Sequence, residues 1–193
     1  MKHSIKDEIR GVVIFVAVVW GVFLLDLVIP IELNQFGVTP RSLKGLIGIV
    51  ASPFLHAGFG HIISNTLPLT ILLILLAGSR TRTWETVAEL IVFSGALLWL
   101  FGRSSTHVGA SGLVYALIAY LIVSGFLEKR IIPLCISLFV AFFYGGSLLG
   151  GVLPQLNSQI SWEGHLLGAV AAIGLAFIHL GRDQKPSSNL ETQ

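Results

Sequence analysis

Six apolar runs limit what this chain can fold into: about 11–30, 61–78, 84–102, 110–127, 131–152 and 162–180. Each approaches the roughly 20 residues that a helix rising about 1.5 Å per residue needs to cross a hydrocarbon core. Charge is scarce to match. Charged residues make up 11% of the chain and hydrophobic ones 54%, where a water-soluble domain carries roughly 25% charged residues. Inside a bilayer the backbone must satisfy its own hydrogen bonds, so runs of this length read as helices. The expected fold class is an all-α membrane protein. Its bundle of six transmembrane helices covers residues 1–180, and a disordered cytoplasmic tail covers 181–193.

The first run reads as a retained helix and not a signal peptide. It is too long for a signal h-region, contains Asp26 and lacks a small-residue cleavage site. A lone Cys135 leaves no intrachain disulfide and has no metal-ligand spacing around it, so it reads as an apolar core residue. Trp20, Trp84, Trp99 and Trp162 fall mostly near run ends, where amphipathic rings settle. Residues 31–60, IELNQFGVTPRSLKGLIGIVASPFLHAGFG, are too broken to span and too apolar to float in water. Short helices lying in the interface are expected there.

Orientation follows from Lys and Arg. With the N-terminus in the cytoplasm, six crossings return the C-terminus to the same side. That side then holds nine cations, Lys2, Lys6, Arg10, Arg80, Arg82, Lys129, Arg130, Arg182 and Lys185, against three outside, Arg41, Lys44 and Arg103. Both termini are therefore placed in the cytoplasm.

Polar residues inside the runs each need a reason, because a central charge costs roughly 2.5–3.5 kcal/mol on insertion scales. The second span opens HAGFGHIISN, with His61 and Asn65 four apart on one face. The fourth opens GASG around Ser111, with Tyr115 one turn on, and the sixth opens WEGHLLGAVAA around His165. In the chosen topology these three spans run in the same direction, so their heads lie at one depth near the outer surface. Gly164, Gly168 and Ala172 on the sixth, and Gly112, Ala116 and Ala119 on the fourth, would let two backbones approach closely. From Ser111 to Glu128 the helical rise is about 26 Å, short of the roughly 30 Å hydrocarbon. Ser111 would therefore sit below the surface, with residues 103–110 dipping to meet it around a wet pocket.

Serine becomes a nucleophile only when a base takes its proton, and His165 is the natural base. Glu163 stands two residues from His165 and does not clearly complete a triad, so a Ser–His dyad is the economical reading. The oxyanion formed on attack needs prearranged donors, which His61, the Asn65 amide and the Ser111 backbone N–H could supply. Gly109 and Gly112 would permit the unusual backbone of such a turn. Taken singly, each residue has a commonplace reading: a serine easing helix packing, a histidine at an interface, an asparagine bonding a neighbouring helix. Asp26 and His107 are assigned to the interface. The signal lies in the conjunction of groups at one depth.

HxxxxHxxxN at His56, His61 and Asn65, then GASG at Ser111, then GHLLG at His165, resembles the rhomboid intramembrane serine proteases. The likeness runs from about residue 11 to 180 and covers motif order, helix placement and the minimal six-helix length. It implies a rhomboid-like bundle that cleaves transmembrane substrates near their outer end through a Ser111–His165 dyad and an acyl-enzyme. His61 and Asn65 match the oxyanion positions, Tyr115 an aromatic packed on the catalytic histidine, and His56 a structural histidine of the first loop. Gly109 matches the glycine two before the nucleophile. Lateral substrate passage near the fifth span is also implied, where Gly145, Gly146, Gly150 and Gly151 suggest loose packing. Many rhomboids carry a Trp–Arg pair in the first outer loop; this chain has TPRSLKGL there, with no Trp.

The expected partners are thus transmembrane proteins and the lipid bilayer, with no nucleic acid, no metal and no cofactor. The competing reading is a catalytically inactive relative that binds transmembrane helices. A histidine-ligated haem or metal carrier is a third, disfavoured by the lack of HExxH or a second paired set. The topology is directly testable in a Cys135→Ser background. Ser105→Cys should react with a membrane-impermeant maleimide in intact cells, whereas Lys6→Cys should react only after permeabilisation.

Overall fold

The computed structural model describes residues 5–154 and 161–183. Its helices are α1 (Ile5–Val28), α2 (Gly48–Ala51), α3 (Phe59–Ser79), α4 (Thr83–Phe101), α5 (Ser111–Glu128), α6 (Ile131–Gly151) and α7 (Trp162–Asp183). All except α2, six in number, are long and apolar enough to cross a membrane. The protein is an integral, multi-pass membrane protein of the all-helical class. α1 begins at Ile5, ahead of the expected residue 11, and α7 runs to Asp183, so the first residues assigned to the tail are helical. The remainder of that tail, with Lys185, and Lys2 at the other terminus lie outside the described residues.

Burial places α5 at the centre. Its span is 56% buried by protein, against 17% for α1 and for α6. Leu117, Ile118 and Tyr120 of α5 sit in one core with Leu72 and Leu73 of α3, Leu90 of α4, and Ala172 and Leu175 of α7. In lipid no hydrophobic drive pulls helices together, so close van der Waals packing must hold them. The small-residue stripes of α5 and α7 provide it. A Cβ on Gly168 would overlap the Gly112 carbonyl, and one on Gly112 would lie 3.4 Å from the Gly164 carbonyl.

The 31–58 connection forms short helical turns at Leu33–Phe36, Lys44–Leu46, Gly48–Ala51 and Ser52–Phe54, and it packs against protein as well as facing outward. The Ile49 carbonyl lies 2.6 Å from where a Cβ of Gly95 on α4 would stand. The Trp99 indole of α4 donates to the Ser42 carbonyl (2.8 Å). Arg41 adopts a left-handed φ of 58° and its guanidinium caps the end of α4 at the Leu100 (3.1 Å) and Gly102 (2.9 Å) carbonyls. A cation is favourable there, at the negative end of the helix dipole. The loop without its own tryptophan thus borrows one from α4. At the end of α1, Asp26 accepts from the Leu33 N–H (2.6 Å) and the Asn34 amide (3.2 Å); it ties down the chain that leaves the helix.

Trp84, Trp99 and Trp162 stand near helix ends, while Trp20 lies inside α1 and donates to Thr66 of α3 (3.1 Å), so it joins two helices. One expectation changes. Cys135 is exposed on peripheral α6; a thiol is apolar enough to face lipid and needs no core position.

The end of the bundle away from Ser111 is tied by polar contacts. His179 of α7 donates through Nε2–H to Glu89 of α4 (2.6 Å) and accepts from the Tyr120 hydroxyl of α5 (2.7 Å). Arg182 adds a bond to Glu89 (3.2 Å). Arg80 pairs with Glu128 and lies over the Tyr120 ring. Packing of α5 on α7 yields a measurable contrast. Gly168→Val should lower stability in mixed-micelle unfolding by about 1–3 kcal/mol, the usual cost of overpacking. Gly174→Ala, where a Cβ meets nothing within 4 Å, should change it by no more than about 1 kcal/mol.

Candidate active site

Ser111 is the first residue of α5. Its backbone N–H therefore has no intrahelical acceptor, and the positive end of the helix dipole lies at its position. The turn before it is unusual and firmly held. Gly109 has φ +113°, and a Cβ there would come within 2.5 Å of the His61 ring, so both backbone and space demand glycine. The Gly109 N–H donates to the Ser52 carbonyl (2.9 Å), and Val38 and His107 exchange backbone bonds of 2.9 and 2.8 Å. The Ala110 N–H points to His56 Nε2 at 3.4 Å. The first loop thus braces the turn that presents the serine.

His165 stands one turn into α7 and is buried. Tyr115 of α5 stacks on it with ring centroids 3.9 Å apart and planes within 1°. Its Nδ1–H donates to the Gly151 carbonyl at the end of α6 (3.0 Å). With Nδ1 protonated, the neutral ring keeps its basic lone pair on Nε2.

Ser111, His165, His61 and Asn65 line one cavity of about 850 Å³, and exposed Gly60, Ser105 and Thr106 at its rim open it to the surface. The heads of α3, α5 and α7 therefore converge on one volume. Ser111 and His165 share this cavity without a hydrogen bond between them. Asn65 donates one amide N–H to the His61 carbonyl (2.9 Å), and its second N–H remains for another acceptor. His56 lies behind His61, with ring centroids 5.1 Å apart. Burial first, and next the neighbouring His61, hold His56 down at about 4 against its ordinary 6.5.

Several neighbours were not foreseen from spacing. His107, assigned to the interface, is buried: its Nε2–H donates to the Arg103 carbonyl (3.2 Å) and its Nδ1 accepts from Ser161 (2.7 Å). Ser161 also accepts from the Gly164 N–H (3.3 Å) and so caps α7. Glu163 turns to Arg103 (3.3 Å) and not to the imidazole. A second cavity of about 40 Å³ lies behind Ser111 and is lined by the Ser52 and Ser94 side chains, enough for at least one water. Only chain reversal brings these residues together, so no local motif announces them. Among the described residues no group of three or more His, Cys, Asp or Glu could hold a metal ion.

The fold and this arrangement define a helical membrane protein with a polar recess sunk among its helix heads. Residues 44–182 match the Rhomboid domain family. The chain belongs to the rhomboid family, whose members are in general intramembrane serine proteases. An uncharacterized protein of Mycobacterium tuberculosis is similar at 37% identity over 181 residues, 89% of this chain and 75% of that protein. One of Mycobacterium bovis matches to the same extent. A third, from Mycobacterium leprae, is 35% identical over 195 residues, 95% of this chain and 76% of its own length.

The His56 environment sets an acid dependence. Below pH 6.5 the unfolded chain takes up a proton that the folded chain refuses until about pH 4. Stability should therefore fall as pH drops through that window and level off beneath it. Thermal unfolding from pH 7 to 4 should show this loss in the wild type and a smaller one in His56→Asn.

Proposed function

We propose that the protein is an intramembrane serine endopeptidase that cuts transmembrane proteins near their outer end. The carrying observation is that Ser111 and His165 line one surface-connected cavity at the heads of neighbouring helices, in a chain of the rhomboid family. Ser111 Oγ attacks the scissile carbonyl as His165 Nε2 takes its proton. The tetrahedral oxyanion lies among the Ser111 N–H, the His61 ring and the free Asn65 N–H. Collapse breaks the C–N bond, and His165 returns the proton to the departing amine. Water, delivered through the cavity, then attacks the acyl-enzyme with His165 again as base; this releases the new carboxylic acid and regenerates serine. The dyad bond forms when substrate fills the recess, since such bonds are commonly long or misaligned without it. The membrane is the bacterial inner membrane, with both termini cytoplasmic and the recess facing outward.

The alternative is an inactive relative whose surface-connected recess grips transmembrane helices. A fluorophosphonate probe separates the two. Labelling of the wild type and loss of labelling in Ser111→Ala support the protease, whereas an unlabelled wild type that still captures a transmembrane peptide supports the binder. On a model transmembrane substrate in liposomes, Ser111→Ala and His165→Ala should each lower cleavage at least about 1,000-fold, and Asn65→Ala roughly 100-fold.

A further inference from the structure

Four glycines occupy the last two turns of α6, and three of them meet nothing: a Cβ on Gly145, Gly146 or Gly150 would find no atom within 4 Å. Gly151 differs. A Cβ there would land on the Tyr115 hydroxyl and the ring carbon that bears it, and 2.6 Å from Cε1. Tyr115 cannot yield cheaply, because its ring is stacked on His165 and its hydroxyl donates to the Ser147 carbonyl (3.0 Å). Any movement of the phenol disturbs the imidazole beneath it.

The backbone of the same residue holds the other edge of that imidazole. The last four carbonyls of a helix have no partner within it. Here Leu148 O accepts from the Val152 N–H (3.2 Å) and Gly151 O from His165 Nδ1–H (3.0 Å), while Ser147 O, one residue before them, takes the Tyr115 hydroxyl as an additional donor. In a Ser–His–Asp triad a buried carboxylate fixes the histidine tautomer and stabilises the imidazolium that forms. The carboxylate nearest in sequence, Glu163, is bound to Arg103. The end of α6 offers a carbonyl in that place, with the partial negative charge of a helix C-terminus behind it.

We propose that Gly151 is a positioning residue of the active site. Its carbonyl selects the His165 tautomer with Nε2 bare, and its missing side chain makes room for the Tyr115 ring that fixes the imidazole plane. The consequence for rate rests on the proteolytic reading above; the consequence for the tautomer does not. Because α6 is among the spans least enclosed by protein, the orientation of the base depends on a helix held by few neighbours.

The test compares wild type, Gly150→Ala and Gly151→Ala in detergent. Both substitutions make the same change in helix propensity. Side-chain ¹⁵N spectra of labelled histidine, with His165 assigned through His165→Gln, read the tautomer whether or not the protein cleaves anything. Wild type and Gly150→Ala should show the Nδ1–H form of neutral His165, and Gly151→Ala a mixture of forms. On a transmembrane substrate, kcat of Gly151→Ala should fall about 100-fold, the cost of displacing a catalytic group by about 1 Å. KM should stay within about threefold, because substrate binding is untouched. If Gly151→Ala does not fold, an ester replacing the 151–152 amide weakens the same carbonyl without adding a side chain, and the mixture of tautomers should appear there. An unchanged Nδ1–H form in the variant that folds overturns the inference. A wild type that neither cleaves nor takes the fluorophosphonate, yet shows the predicted tautomer change, removes the protease and leaves the positioning contact standing.

Discussion

The approach of α5 to α7 is the contact on which the rest of the molecule depends. Two helices in lipid gain little by hiding apolar surface from each other, so they stay together only where their backbones can close in. Gly112 and Gly168 allow that, with no side chain between the Gly112 carbonyl and α7. Both helices start at the same end of the bundle, and their closeness places Ser111 and His165 at one level on one cavity. Larger residues along this seam would push the two heads apart before any chemistry could be considered.

The same seam carries two tyrosine–histidine pairs. Tyr115 lies flat on His165 at one end, and Tyr120 donates to His179 near the other. The first pair leaves an imidazole edge available to a cavity. The second is closed by Glu89 and Arg182 and serves as a clamp across α4, α5 and α7. One residue pairing thus does two jobs, distinguished by whether a carboxylate occupies the far side of the ring.

Much of the architecture could be read directly from the chain. Apolar runs near 20 residues long have few alternatives in a bilayer, so the six spans and the all-helical class followed from length and charge. His61, Asn65, Ser111 and His165 were legible for a related reason: polar groups at helix heads are costly in lipid, and here they recur at spans running in one direction. What the sequence concealed depends on long-range return of the chain. His107 pairs with Ser161 and Arg103 with Glu163 because the segment before α5 meets the start of α7, which no local spacing encodes. Gly151 was read as one of four loosening glycines, since composition cannot distinguish a glycine that faces open space from one that faces a phenol. Cys135 was misplaced because apolar character alone does not tell a core position from a lipid-facing one.

Ser111 is the opening residue of its helix, and that position settles how negative charge could be tolerated there. Any anion arriving at this point meets the unspent amide hydrogens and aligned peptide dipoles of a helix that begins with it. No lysine, arginine or metal need be carried into the greasy interior as a counter-ion, with the solvation cost that such a charge would bring. The column of peptide groups that spans the bilayer is also the electrostatic support for its own first residue.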